Sequence, residues 1–82
     1  WPGTVTTWHG GDLKVLRARV EAGASTAAPA GTVTSGDREG LVVAAGAGTL
    51  LRLLEVQPES RRPMPAAAFA AGARLVPGAR LG

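Results

Sequence analysis

Five cationic side chains are spaced so that they could contact the phosphate groups of an anionic partner. Arg17 and Arg19 are two residues apart, which on one face of a β-strand separates them by about 6.5 to 7 Å. Lys14 comes just before them, and Arg61 and Arg62 lie between prolines in a predicted loop, where long side chains do not disturb a sheet. These residues therefore predict contact with a phosphate backbone, and solvated surface charge is the alternative.

The other reactive residue types do not form a catalytic set. The single histidine, His9, is followed by two glycines and is interpreted as a solvated turn residue. Most acidic residues lie in or beside predicted turns, and no two of them are paired as a catalytic dyad. Without cysteine, one histidine matches none of the familiar metal-ligand spacings. We therefore predict no catalytic residue, no metal site and no enzymatic activity for this chain alone.

Size and composition indicate one small domain covering residues 1–82. At this length folding buries roughly 60 to 65% of the surface that the unfolded chain exposes. The formal charge of +3 favours an anionic partner only mildly, and the absence of cysteine makes an intracellular, cytoplasmic setting the expectation. No apolar run approaches the roughly 18 to 20 residues that a membrane span needs, so no membrane partner is expected. Because the chain opens with Trp-Pro-Gly instead of methionine, we expect a piece of a longer protein.

Alternating and β-branched segments predict the strands that must position the cations. The predicted strands cover residues 3–8, 13–22, 31–35, 41–45 and 49–57. Glycine-bearing turns connect most of them, and residues 23–30 are predicted to be an irregular loop. Gly46-Ala47-Gly48 is interpreted as a hairpin connection and not as a phosphate-binding loop, because a strand and not a helix follows it.

Two predicted strands set the orientation of charged side chains. In residues 13–22, alternation places Leu16, Ala18 and Val20 toward the core and the two arginines outward. In residues 49–57, strict alternation leaves neither face cleanly apolar. One extra residue at Leu53-Leu54, a β-bulge, shifts the phase. It then directs Leu51, Leu53, Leu54 and Val56 to the core and Arg52, Glu55 and Gln57 outward.

The last third of the chain predicts one helix. Residues 65–75 contain good helix formers, with Pro65 at a plausible first helical position and Gly72 near the end. Together these elements predict a mainly β fold, a small five- to six-stranded OB-like barrel with one short helix near the C-terminus. A three-stranded sheet packed on a helix is the alternative.

Several segments carry a resemblance to a known family. The chain begins WPGTVTTWHGGDLKVLRA, continues through PAGTV and GLVVAAGAGTLLRLLEVQPESRR, and ends in ARLVPGARLG. In this order and spacing, the segments resemble the C-terminal domain of methionyl-tRNA formyltransferases. Where that family often has Lys-Arg after the turn glycine, this chain has Gly11-Asp12, while Arg61-Arg62 keeps a pair of cations that the family has before its helix.

The resemblance implies a function and a set of partners. A domain of this family would help to bind and position initiator methionyl-tRNA for N-formylation from 10-formyltetrahydrofolate in translation initiation. The implied partners are initiator tRNA and the protein's own N-terminal catalytic domain, which these residues lack, and the domain itself would bind no cofactor. The tRNA-binding residues expected here are Lys14, Arg17, Arg19, Arg61 and Arg62. The alternative is a structural packing or dimerisation module of a formyltransferase of the sugar-nucleotide type, with no nucleic-acid role.

Overall fold

The computed structural model describes residues 5–23 and 25–81, apart from the side chain of Ala47. In chain order the elements are β1 (Val5–Trp8), β2 (Gly11–Val20), β3 (Val33–Asp37), β4 (Gly40–Ala44), a 3₁₀ turn (Gly46–Gly48), β5 (Leu50–Pro58), β6 (Met64–Pro65) and α1 (Ala66–Ala73). The five predicted strands and the single late helix are confirmed, with small differences at their ends, and residues 3 and 4 of the first predicted strand lie outside the described residues. The two-residue strand β6 was not predicted, because two residues are too few to show a period.

All six strands belong to one antiparallel sheet with the order β1-β2-β5-β4-β3. The short strand β6 pairs with residues 55 and 56 of β5, on the edge opposite β2 and beyond the part of β5 that pairs with β4. Within residues 5–23 and 25–81, the two end strands β1 and β3 do not pair with each other, so the sheet is not closed into a barrel. The predicted OB-like barrel is therefore wrong, although the mainly β class and the short helix are confirmed. The sheet is also larger than the three-stranded alternative.

The outer edge of β3 is occupied by the end of the chain, which gives a physical reason for the open sheet. The Val33 N–H donates to the carbonyl of Ala79 at 2.8 Å, and the Gly78 N–H donates to the carbonyl of Val33 at 2.8 Å. The Leu81 N–H similarly donates to the carbonyl of Gly31. Because these backbone groups are already satisfied by the C-terminal segment, that part of β3 cannot also pair with β1.

The core lies between one face of the sheet and α1. Its buried members are mostly leucine and valine: Leu13, Val15, Val33, Leu41, Val43, Leu51, Leu53, Val56, Ala66, Phe69 and Leu81. The helix contributes Ala66 and Phe69; Pro65 is its N-cap and not its first helical residue, and Arg74 ends it with φ 54°. None of the helices in the described part of the chain is long and apolar enough to cross a membrane.

Paired bulges decide which residues of β2 face the core. Register shifts occur around Leu16 in β2 and around Leu54 in β5, so each strand carries one extra residue at nearly the same level. The bulge predicted at Leu53-Leu54 is confirmed, and Leu53 is buried in the core. The core position predicted for Leu54 is wrong, because Leu54 is half-buried and is not among the described residues that form the core or pack against it. The core orientation predicted for Leu16 is wrong, because Leu16 is the extra residue of the bulge and is 39% exposed. Val20 lies opposite the buried Leu51 and therefore on the core side of the sheet, as predicted, although it is 59% exposed at the end of β2. Alternation within β2 alone does not reveal a bulge that compensates one in its neighbour.

Gly40 fixes the tight connection between β3 and β4. Its φ is +144°, and a Cβ added there would clash with the carbonyl oxygen of Leu53 on the adjacent strand. A side chain at this position would therefore push β4 away from β5. The close approach sets the position of the preceding turn, which carries Asp37 and Glu39 at the edge of the sheet's outer face.

Candidate nucleic-acid interface

The outer face of the sheet, opposite the core, carries the predicted cations of β2. Leu13 and Val15 are buried, so the intervening Lys14 points to the other face. After the bulge at Leu16, Ala18 packs against the core, which leaves Arg17 and Arg19 on the outer face with Lys14. The structure therefore brings these three predicted residues onto one surface, as alternation predicted for the arginines.

Lys14 and Arg17 are exposed and form no ion pair in the part of the chain that the structure describes. Arg17 lies opposite Glu55 in the β2–β5 register, but among the described residues neither Lys14 nor Arg17 has a carboxylate oxygen within 4.0 Å. A cation in this state keeps its full charge for an external anion and breaks no internal contact on binding.

Arg61 and Arg62 lie in the loop that connects β5 to β6, and both are exposed. The Arg61 N–H donates to the carbonyl of Pro58 at 3.1 Å, and the Arg61 carbonyl accepts a hydrogen bond from Gln57 Nε2 at 2.9 Å. Gln57 is the register partner of Lys14, so these bonds hold the loop beside the Lys14 end of the outer face. Neither arginine forms an ion pair within residues 5–23 and 25–81.

The opposite end of the outer face is ion-paired. Arg19 Nη2 lies 3.7 Å from Glu39 Oε2, with 56% and 74% of the two side chains exposed. An exposed pair of this kind contributes about 0 to 1 kcal/mol to stability. The pair still partly neutralises Arg19, so this residue lies on the outer face, as alternation predicted, but beside a competing carboxylate.

Arg52 lies at the centre of this ion-paired region. Its Nε donates to Glu21 Oε1 and its Nη1 donates to Asp37 Oδ1 at 2.8 Å, while only 14% of its side chain is exposed. The hydrogen bond to Glu21, helped by the charge of Asp37, raises the pKa of Arg52. The pKa of Asp37 is lowered from 3.8, first by a hydrogen bond from the Glu39 N–H and also by Arg52. Arg52 therefore joins three strand ends and is not available to a ligand.

We call the two regions the open end and the paired end. The open end consists of Lys14, Arg17, Arg61 and Arg62, and the paired end consists of Arg19, Glu21, Asp37, Glu39 and Arg52. Sequence reasoning placed Arg52 outward but missed its two carboxylate partners, because they come from 15 and 31 residues away along the chain. The remaining arginines, Arg38, Arg74 and Arg80, are exposed and lie in a turn, a helix cap and the C-terminal segment.

The histidine and the carboxylates form no recognisable reaction centre in the described residues. His9 is an exposed turn residue, as predicted, and its ring additionally stacks on Trp8 with centroids 4.0 Å apart. No group of three or more histidine, cysteine or acidic residues within residues 5–23 and 25–81 could hold a metal ion. The exposed cations of the outer face are suited to binding an anion.

A protein-family comparison decides the relationship of the chain. Residues 1–74 match the family described as formyl transferase, C-terminal domain. The chain belongs to this family. The resemblance found in the sequence is thus confirmed, and the formyl transferase C-terminal domain provides the context for the two ends of the outer face.

Individual members of the family give the same result. The chain is 50% identical over 82 residues to the methionyl-tRNA formyltransferase of Roseiflexus castenholzii and 48% identical over 82 residues to that of Thermus thermophilus. All of this chain and 26% of each relative are covered. The methionyl-tRNA formyltransferase of Myxococcus xanthus is 46% identical over 80 residues, covering 98% of this chain and 24% of the relative. The chain thus spans about a quarter of the length of the curated relatives it matches.

Proposed function

We propose that this chain is the C-terminal domain of a methionyl-tRNA formyltransferase and helps to bind and position initiator methionyl-tRNA. The family membership supports the parent activity, and the charge distribution on the outer face supports the role in binding. Arg19 is the one predicted contact residue whose contribution is reduced, because it is paired with Glu39.

The observation that carries the proposal is the open end. Four exposed cations without an ion pair among the described residues lie on one strand face and the adjoining loop, which Gln57 ties together. Cations arranged in this way neutralise successive phosphates and hold a nucleic acid in register without reading its sequence. The proposed role is therefore contact with the tRNA backbone.

Formyl transfer itself is assigned to another part of the parent protein. The parent would use 10-formyltetrahydrofolate in an N-terminal catalytic domain, and this domain would hold the tRNA against it in the cytoplasm. The outer face offers charge for binding, while a transferase reaction needs a positioned base and a donor site. The domain would then contribute to the reaction by orienting the tRNA relative to the catalytic domain.

A salt titration of binding to initiator tRNA tests the proposal. Four phosphate contacts should give a slope of log affinity against log salt of about −3 to −4. The measurement is fluorescence anisotropy of labelled tRNA across a range of about 50 to 200 mM salt, where log affinity falls linearly with log salt. The absence of binding at the low-salt limit would overturn the proposal and favour a purely packing or dimerisation role.

Two matched variants separate the open end from net charge. One variant replaces Lys14, Arg17, Arg61 and Arg62 with glutamine, and the control replaces Arg19, Arg38, Arg74 and Arg80 with glutamine. Both lose four positive charges, but only the first should lose most of the salt slope and most of the affinity. Equal losses in the two variants would mean that overall charge, and not the open end, drives binding.

A further inference from the structure

All the aromatic rings in the described residues gather at one place beside the open end. The sequence has no tyrosine and one phenylalanine, and Trp8, His9 and Phe69 are brought together from β1, its turn and α1. Trp8 stacks on His9 with an interplanar angle of 15°, and it meets Phe69 edge-on at 6.2 Å and 82°. Aromatic residues are scarce in this sequence, but the fold brings these three together.

Trp8 also lines a cavity of about 470 Å³ between the loop after β5 and α1. The other lining residues that matter here are Pro58, Arg61, Met64 and Phe69. His9 does not line this cavity, so Trp8 presents to it a surface that His9 does not cover. The volume lies within the range of about 300 to 1,000 Å³ that is usual for small-ligand sites.

The charge of the cavity is positive. Arg61 is the ionisable residue that lines it, whereas Asp12 and Glu59 line a separate neighbouring cavity of about 330 Å³. A tryptophan ring beside an unpaired guanidinium is suited to a flat, electron-rich ring that carries a phosphate next to it. In single-stranded RNA, an unpaired base with its adjoining phosphate has this chemistry.

We propose that the cavity binds one unpaired nucleobase of single-stranded RNA, with the base against Trp8 and its phosphate at Arg61. The inference rests on the proposed function for its class of partner, and it adds a contact to a base where the open end supplies contacts to phosphates only. The hydrogen bond from Gln57 to the Arg61 carbonyl fixes the loop at the point where both sites meet.

The test uses the intrinsic fluorescence of Trp8. In the full 82-residue chain with Trp1→Phe, Trp8 is the remaining tryptophan. The probes are a single-stranded RNA of about eight nucleotides, within the site sizes usual for such binders, and an abasic oligonucleotide of equal length and charge. The RNA should quench Trp8 and bind about 5- to 150-fold more tightly than the abasic strand, the range expected for one stacked base. Identical quenching or identical affinity with both probes would overturn the proposal.

Substitutions locate the base contact. In the Trp1→Phe background, Trp8→Leu keeps an apolar side chain against Phe69, and it should remove the preference for RNA while leaving anisotropy-detected affinity for the abasic strand unchanged. Arg61→Gln and the matched Arg62→Gln each remove one charge, but only Arg61 lines the cavity. Arg61→Gln should therefore reduce the preference for RNA more than Arg62→Gln. Equal reductions of the RNA preference by Arg61→Gln and Arg62→Gln would contradict the proposed base site. If the chain without these substitutions did not bind the abasic strand at all, that result would instead contradict the proposed phosphate contacts.

Discussion

The two ends of the outer face, with four cations at the open end and two at the paired end, differ in what those cations can do. At the open end, Lys14 and Arg17 project from β2 without an ion pair among the described residues. At the paired end, Arg52 is held by Glu21 and Asp37, and Arg19 is held loosely by Glu39. The difference teaches that cation count overstates binding capacity, because an arginine that closes a network between strands has already used its charge.

Arg52→Met should produce the largest single-site effect that tests this comparison. The change removes two charge-assisted hydrogen bonds from a side chain that is only 14% exposed, and it leaves Glu21 and Asp37 unpaired. The free energy of unfolding should fall by about 1 to 2 kcal/mol, measured by urea denaturation. The slope of log affinity for tRNA against log salt should not change. A slope reduced by about 0.9, the value for one phosphate contact, would show that Arg52 also contacts the tRNA. Arg38→Met, in an exposed turn, is the control for loss of a surface arginine.

Arg17→Gln and Arg19→Gln form a matched pair on the same face of β2. Arg17→Gln should reduce the salt slope by about 0.9, the value for one phosphate contact, while Arg19→Gln should reduce it by less because Glu39 competes for the guanidinium. The measurement is the same anisotropy titration for both variants. If both variants reduced the salt slope equally, the ion pair with Glu39 would not limit the contribution of Arg19 to binding.

Glu39→Gln should have a smaller effect in the opposite direction. Removing the carboxylate frees Arg19 without altering the Arg52 network, so the affinity for tRNA should rise by about two- to threefold at low salt. The gain should disappear in the Arg19→Gln background, which a double-mutant cycle would measure. A gain that persists there would mean that Glu39 acts through general repulsion of phosphate and not through Arg19.

The pH dependence of Asp37 should give the smallest effect. Because its pKa is lowered in the folded state, mainly by the Glu39 N–H, the ionised carboxylate stabilises the fold at pH values above 3.8. This contribution should be lost as the pH falls through the lower folded pKa. Thermal unfolding of the natural chain and of Asp37→Asn should show a difference in Tm near neutral pH that closes in acid. A difference that widens in acid would contradict the sign.

Much of the fold was accessible from the sequence because its signals are local. Glycine-rich turns and β-branched segments identified the five longer strands. In residues 49–57 strict alternation leaves neither face cleanly apolar, and this pattern identified the bulge near Leu54. The orientation of β2 was only partly accessible, since the compensating bulge at Leu16 depends on the register with β5. The assignment of Leu16 to the core failed for that reason, whereas Val20 lies on the core side but is exposed at the end of β2.

The candidate site, like the fold, was only partly predictable from the sequence. Alternation predicted that Arg17 and Arg19 share an outward face. It could not predict that Glu39 lies beside Arg19, or that Arg17 has no carboxylate oxygen within 4.0 Å among the described residues. The cluster of Trp8, His9 and Phe69 was equally inaccessible, because Phe69 is about 60 residues distant along the chain, a separation across which local periodicity carries no information.

The sequence by itself determined the family, the mainly β class, the late helix and the outward direction of the β2 arginines. Each of these follows from residue order or from a period of two, which is a property of neighbouring residues. Only the tertiary structure decided that the sheet stays open, that Arg52 joins Glu21 and Asp37, and that Arg61 reaches the cavity beside Trp8. The physical reason is that hydrogen bonds at a sheet edge, ion pairs and cavities depend on distances between segments far apart in the chain, which register and packing set.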